Sequence, residues 1–260
     1  MKAAPLQLTS GIDPDENFAT VVDFVEQTNA SFVLTPEMTP LLQKDSAKLQ
    51  QVVKSETETV APYCDLARHK GIHLLLGSAA VRRRDGAIAN RSFLINPDGV
   101  LIGRYDKINL FEASLPGGEF YRESDTYAGG DSPVISMVDE FRLGLSICYD
   151  VRFPALYSDY GLEEVDMISV PSAFTRSTGK AHWETLLRAR AIETGAWVLA
   201  PAQGGHHADG RKTYGRTLVV SPWGEVVGKL DHDQPGCLEV ELSKKPVEDA
   251  RARIPAWRQQ

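Results

Sequence analysis

With 260 residues, 42% hydrophobic and 24% charged, the chain has the composition of a globular protein with a substantial core. A formal charge of -7 with scattered basic residues argues against a long phosphate-tracking surface, and so against nucleic acid as a partner. No stretch approaches the ~20 apolar residues of a membrane span and no apolar signal core opens the chain, so a cytoplasmic protein with no membrane partner is expected. The cysteines at 64, 148 and 237 form neither a metal pair nor a disulfide framework, and reduced thiols follow. Without a linker or repeat to divide it, the chain reads as one domain over 1–260.

Helical and strand-like segments alternate from the start. AAPLQLTS (3–10) reads as a strand. DPDENFATVVDFVEQTN (13–29) reads as a helix with Asp13 as N-cap, Pro14 at its first position and Phe18, Val21, Val22 and Val25 on one stripe. SFVLTPE (31–37) is a short strand ending before Pro36, residues 45–70 read as a helix closed by Gly71, and IHLLLGSAAV (72–81) is a buried strand. Arg82, Arg83 and Arg84 form the solvated end of a hairpin before Asp85-Gly86. NRSFLINPDGVLIGRYDK (90–107) is a hairpin turning at Pro97-Asp98-Gly99, and PVISMVDEFRLGLSIC (133–148) a second pair. A strand (166–173), a helix (179–195) and a strand (196–203) follow, and the end is β-rich. The expected architecture is α/β, two packed sheets with helices outside. A Rossmann sheet is weakened by the hairpins and by the lack of G-x-G-x-x-G after the first strand.

Three ionisable residues directly follow apolar strands: Glu37 after SFVLTP, Lys107 after VLIGRYD and Cys148 after FRLGLSI. Each alone reads as structural, since strand ends often carry polar groups and a lone buried cysteine is usually inert packing. Together they make a reaction. A thiol titrates near ~8.5 and needs an electropositive setting to become a thiolate, which a helix starting at about Phe153-Pro154 and a nearby ammonium would provide. A carboxylate can take the thiol proton and return it to a leaving amine, and Lys107 with the Tyr149 backbone N–H can hold the oxyanion of a tetrahedral intermediate.

Other residues carry quieter readings. Ser146 lies outside a G-x-S-x-G motif and, if the strand stays regular, sits beneath the thiol as packing. His182 packs or caps its helix. His206, His207 and Asp209 belong to a loop at the pocket rim rather than to a metal site. Arg152 either binds a substrate carboxylate or pairs internally with Asp150 or a site acid. Phe174, Thr175 and Arg176 line the pocket, and Arg188 and Arg190 are solvated or ion-paired. Asn90-Arg91-Ser92 matches a glycosylation acceptor without consequence.

On LTPE, RYDKINLF and SICYDVRFP, with VPSAFTRSTGKAHWETLLRARAIE (170–193) and TLVVSPWG (217–224), the chain resembles the nitrilase, or carbon-nitrogen hydrolase, superfamily over nearly its whole length. The resemblance implies an αββα sandwich that pairs with a second subunit, no metal and no cofactor. It also implies that Glu37, Lys107 and Cys148 are catalytic, with a second glutamate matching Glu123 and with Glu112 and Glu119 nearby. Within the superfamily the chain looks most like the Nit subgroup, similar to deaminated glutathione amidases and ω-amidases, although Arg216 stands where that pattern has histidine. An amidase acting on a small carboxylate-bearing terminal amide is expected. The alternatives are an N-carbamoyl amine or amino-acid hydrolase on the same site, and a non-catalytic scaffold.

Overall fold

The computed structural model describes residues 1–114 and 120–259. In chain order the strands and α-helices are β1 (Lys2–Leu8), α1 (Pro14–Gln27), β2 (Phe32–Leu34), α2 (Ser46–Val52), α3 (Glu56–Lys70), β3 (His73–Arg82), β4 (Ile88–Ile95), β5 (Leu101–Asp106), β6 (Glu112–Ser114), β7 (Phe120–Arg122), β8 (Ile135–Val138), β9 (Phe141–Leu145), α4 (Pro154–Leu162), β10 (Met167–Ser169), α5 (Arg176–Thr194), β11 (Trp197–Ala200), β12 (Ala202–His206), β13 (Lys212–Tyr214), β14 (Leu218–Val220), β15 (Val226–Lys229), β16 (Gly236–Cys237), β17 (Val240–Glu241) and α6 (Lys245–Arg253). One sheet runs β13-β12-β1-β2-β3-β4-β5, with β16 and β17 also pairing β1. The other runs β15-β14-β11-β10-β9-β8, and β6 and β7 form a separate hairpin.

Side-chain alternation assigns the layers. Along β1, β2 and β3, Ala3, Phe32, Leu34 and Leu75 join the apolar cluster between the sheets. The intervening Ala4, Leu6, Val33, Leu74 and Leu76 pack with Val21, Val25, Tyr63 and Leu66 of α1 and α3. On the second sheet, Tyr157 and Tyr160 of α4 and Trp183 and Leu187 of α5 join the inter-sheet cluster's residues from outside. The result is the αββα sandwich expected from the sequence.

Four local boundaries differ from the sequence reading. Residues 45–70 form two helices, because Asp45 caps α2 and Ser55 starts α3 afresh through a reciprocal capping box with Glu58. Strand β9 stops at Leu145, short of Cys148. Helix α5 begins at Arg176, capped by the Thr175 side chain. The segment 196–203 divides at Pro201: β11 pairs with β10 and β14 in one sheet, while β12 pairs with β1 in the other. Proline has no N–H to continue a ladder, which suits the crossing point between sheets.

Strands β2 and β3 are parallel, and β4 and β5 return antiparallel in turn, so β2 and β5 end at the same edge of their sheet. Gly77 in β3 lets the backbone close up there, since a Cβ at this position would lie 1.9 Å from the Thr35 carbonyl oxygen and 2.6 Å from Pro171 Cβ. Those neighbours lead directly into Glu37 and Ala173.

Candidate active site

Glu37 follows β2 on a backbone tied down on every side. Gly77 N–H donates to Thr35 Oγ1 (3.0 Å), Met38 N–H to Ser78 Oγ (2.9 Å) and Gln203 Nε2 to the Glu37 carbonyl (3.0 Å). Lys107 follows β5, its N–H donating to the Asn90 carbonyl across the hairpin (2.9 Å). Cys148 opens a 3-10 turn, Cys148–Arg152, at a φ of 49°, the left-handed region that a non-glycine residue adopts rarely. The turn is held by Asp150, whose carboxylate accepts from Ile147 N (2.8 Å), Asn109 N (2.9 Å), Asn109 Nδ2 (2.9 Å) and Tyr105 OH (2.7 Å). Asp150 thereby ties the turn of one sheet to the end of β5 in the other. Burial raises its carboxyl above the ordinary range, against the four donors that favour the charged form.

These elements bring Glu37, Lys107, Cys148 and Glu123 together. Lys107 Nζ donates to Glu37 Oε1 (2.9 Å) and Glu123 Oε2 (2.7 Å), and Lys107 is 2% exposed. Glu37 Oε2 accepts from Ala173 N (2.9 Å), and Glu123 Oε2 also accepts from Phe111 N (2.7 Å). Burial alone would raise the Glu37 carboxyl, but Lys107, with contributions from Cys148 and Asn90, brings it below the ordinary carboxylate range. Burial opposes the Lys107 charge as well, and Glu123 and Glu37 together hold the ammonium well above its usual range. The cluster is a cation between two carboxylates, with one carboxylate beside the thiol.

The thiol does not meet the electropositive expectation. Burial first, and the Glu37 charge next, raise Cys148 well above the ordinary thiol range, against Lys107 and the Ala173 N–H. Helix α4 starts at Pro154, as expected, with the 3-10 turn Cys148–Arg152 between it and the thiol along the chain. At rest the arrangement is a neutral thiol beside an ionised base. Cys148 is nonetheless open to a cavity of about 780 Å³, also lined by Tyr149, Arg152, Phe174, Thr175 and Arg176.

The remaining residues sort as follows. Tyr149 packs edge-on against Phe111 and Phe153, and Phe174 packs on Trp183. Arg176 ion-pairs with Asp233. Arg152 does not pair with Asp150 or with any other carboxylate among the described residues; its guanidinium lies over the Phe174 and Tyr149 rings and 3.3 Å from His182 Nδ1. His182 is therefore an exposed partner of Arg152 rather than a packing residue. Ser146 bonds Tyr157 OH (2.9 Å) and the Ser169 carbonyl (2.7 Å), because the strand ends before it. His207 is buried between the Ser10 carbonyl and Thr213 Oγ1, burial holding its imidazole below the usual range. No metal-holding group of His, Cys, Asp and Glu occurs among the described residues. Arg190 is buried and bonds Glu193 and the Val151 carbonyl, and Arg188 bonds the Gly224 carbonyl. Arg216 accepts Trp183 Nε1 at its carbonyl. Glu112 is exposed and accepts from Ser124 Oγ, and Glu119 lies outside the described residues.

Residues 2–252 match the family model described as carbon-nitrogen hydrolase. The chain belongs to the carbon-nitrogen hydrolase family. Deaminated glutathione amidase of Synechocystis sp. is 36% identical to it over 261 residues, covering 98% of this chain and 96% of the relative. The protein of that name from Yersinia enterocolitica is 36% identical, covering 97% and 90%. Among solved structures, the Caenorhabditis elegans NitFhit protein superposes with a TM-score of 0.90 at 34% identity, covering all of this chain and 64% of that one. Saccharomyces cerevisiae Nit3, described as a member of branch 10 of the nitrilase superfamily, superposes at 0.88 with 25% identity, covering 98% and 94%.

One residue of this carbon-nitrogen hydrolase escaped the sequence reading. Asn90, read there as an idle glycosylation match, is 1% exposed and donates from Nδ2 to Glu37 Oε1 and to Glu123 Oε1, each at 3.0 Å. The signal was the hairpin register: Arg91 pairs with Asp106, which sets Asn90 opposite Lys107. A bulge between Leu94 and Ile95 obscures that register when it is counted back from the Pro97-Asp98-Gly99 turn.

Proposed function

We propose that this carbon-nitrogen hydrolase cleaves a small amide bearing a carboxylate, through a thioester on Cys148, and releases the amine, which is ammonia where the amide is primary. As the sulfur attacks the amide carbon, Glu37 takes the thiol proton, and the oxyanion forms against the Lys107 ammonium and the Tyr149 N–H. Collapse breaks the C–N bond, with Glu37 giving its proton to the leaving nitrogen. Water then attacks the thioester, Glu37 again accepting a proton, which it returns to the Cys148 sulfur as the carboxylic acid departs. Glu123 holds Lys107 charged and in place. The carrying observation is the convergence of Glu37, Lys107 and Cys148 at the floor of a cavity that a small substrate can occupy.

The carboxylate preference rests on Arg152, a guanidinium in the cavity wall with no carboxylate partner among the described residues. Lys44, Arg122 and Lys212 also line the cavity without a carboxylate partner among those residues, so the mouth attracts anions although the protein is acidic overall. The names of the relatives support the same class of substrate. Turnover should be measured as ammonia release from α-ketoglutaramate and as release of the cysteinylglycine amine from deaminated glutathione, in the parent and in Arg152→Ala. The expected outcome is turnover of at least one, with KM rising about tenfold or more in the variant, the loss typical of one charged hydrogen-bonding partner. No turnover of either removes the assignment, and turnover of an N-carbamoyl amine or amino acid in their place, releasing carbon dioxide with the ammonia, would indicate a carbamoyl substrate instead. A cytoplasmic setting is proposed on the three free cysteines. A homodimer is proposed on the family's habit and on Leu162, Ile192 and Ile254, each more than half exposed.

A further inference from the structure

Four side chains close a ring at the floor of the cavity. Lys107 bridges Glu37 Oε1 and Glu123 Oε2, and Asn90 Nδ2 bridges Glu37 Oε1 and Glu123 Oε1. Only one orientation of the amide suits this place, because its oxygen turned toward two carboxylates would be repelled by both. The cost of that choice is visible: Asn90 Oδ1 is buried with no hydrogen-bond partner in the structure described. A buried acceptor left unmet is uncommon, and here it accompanies two N–H bonds spent on the carboxylates.

We infer that Asn90 is a positioning residue, whose amide clamps Glu37 and Glu123 at one spacing around Lys107 so that the Cys148 proton enters and leaves Glu37 through Oε2. The geometry separates the two Glu37 oxygens by task. Oε1 receives Asn90 and Lys107, while Oε2 receives the Ala173 N–H, the same N–H that acts on the Cys148 sulfur. With Oε1 occupied by two donors, a proton arriving on Glu37 has its place at Oε2, on the thiol side. The same clamp answers the charge balance of the floor, where two carboxylates face one ammonium. The two amide N–H groups offset part of the excess negative charge without adding a second cation near the oxyanion.

This inference rests on the amidase reading, and its test separates the two. Asn90→Leu keeps the approximate shape and removes both donors; Asn90→Ser keeps one hydroxyl donor. Glu37 acts only when ionised, so activity is lost as pH falls through its pKa. Losing a donor that favours its charged form raises that pKa. The acid limb of kcat/KM is expected to move to higher pH by about one unit in Asn90→Leu and by less in Asn90→Ser, with folding checked by Tm. An unmoved limb, with kcat/KM lowered by one factor at every pH or not lowered at all, overturns the positioning role. The pH dependence of Cys148 alkylation by iodoacetamide reads the ionisation of the thiol without turnover; losing the amide donors that offset the Glu37 charge should raise that midpoint, so it is measured on the same three proteins. If the parent hydrolyses no amide, the amidase reading fails, while the alkylation limb still decides Asn90: a shift to higher pH supports it, and coincident limbs refute it.

Discussion

Replacing Lys107 by Met is expected to abolish amide turnover and to lower Tm, the largest combined loss from any single change at the site. The ammonium is 2% exposed and stands between two carboxylates. Its removal leaves Glu37 and Glu123 facing one another with no cation, and breaking a buried pair in this way typically costs about 3–5 kcal/mol. The pH dependence carries the sign. In the parent, Glu37 is held below the ordinary carboxylate range, so its contribution to stability is present above the unfolded value near ~4.3 and is lost as pH falls through the folded value. In Lys107→Met, burial and Glu123 act on Glu37 with only the Asn90, Cys148 and Ala173 donors against them, and its folded pKa rises. The variant should therefore recover stability as pH falls toward the acid range, where the parent gains nothing. Thermal unfolding of both proteins at several pH values checks this; parallel curves would mean that Lys107 does not hold the two glutamates as described.

Glu37→Gln should leave the fold intact and reduce kcat/KM by about 10²–10⁴-fold, the usual contribution of a positioned general base. Glutamine keeps an oxygen for Lys107 and Asn90 but cannot accept the thiol proton. The thiol itself should respond in the opposite direction. The Glu37 charge is, after burial, a principal cause of the raised Cys148 pKa, while Lys107 acts to lower it. With the charge removed, the pKa of Cys148 falls, and the midpoint of its alkylation by iodoacetamide should move to lower pH. Turnover lost while the thiol becomes easier to ionise is the signature of a base. If both decline together, Glu37 would be supporting the structure rather than moving the proton.

Much of this organisation was legible in the sequence because each signal was local. Asp13-Pro14 announced the start of α1, Gly71 the end of α3, and Pro97-Asp98-Gly99 the hairpin that delivers Lys107. The apolar runs ending at Glu37 and Lys107 placed both at the rim of a sheet. What was not legible depended on contacts between segments remote in the chain. Asp150 looked like a partner for Arg152, yet Tyr105 and Asn109 claim it, and that choice is made by the approach of β5 to the Cys148 turn. The division at Pro201 depends on which sheet each half joins, which no window of residues shows. The neutral state of the Cys148 thiol reflects burial and the orientation of Glu37, both products of the completed fold.

The proposed chemistry turns on a covalent bond to one sulfur, and intact-protein and peptide mass spectrometry of an acid-quenched reaction observes that bond directly. Mixing the enzyme with a slowly turned-over amide and quenching within the first turnovers should add the mass of the substrate, less that of the departed amine, to the peptide containing Cys148. The adduct should be absent from Cys148→Ala and should disappear with hydroxylamine, as a thioester does. Sustained ammonia release by Cys148→Ala, or an acyl group carried on Cys64 or Cys237 instead, would contradict the account.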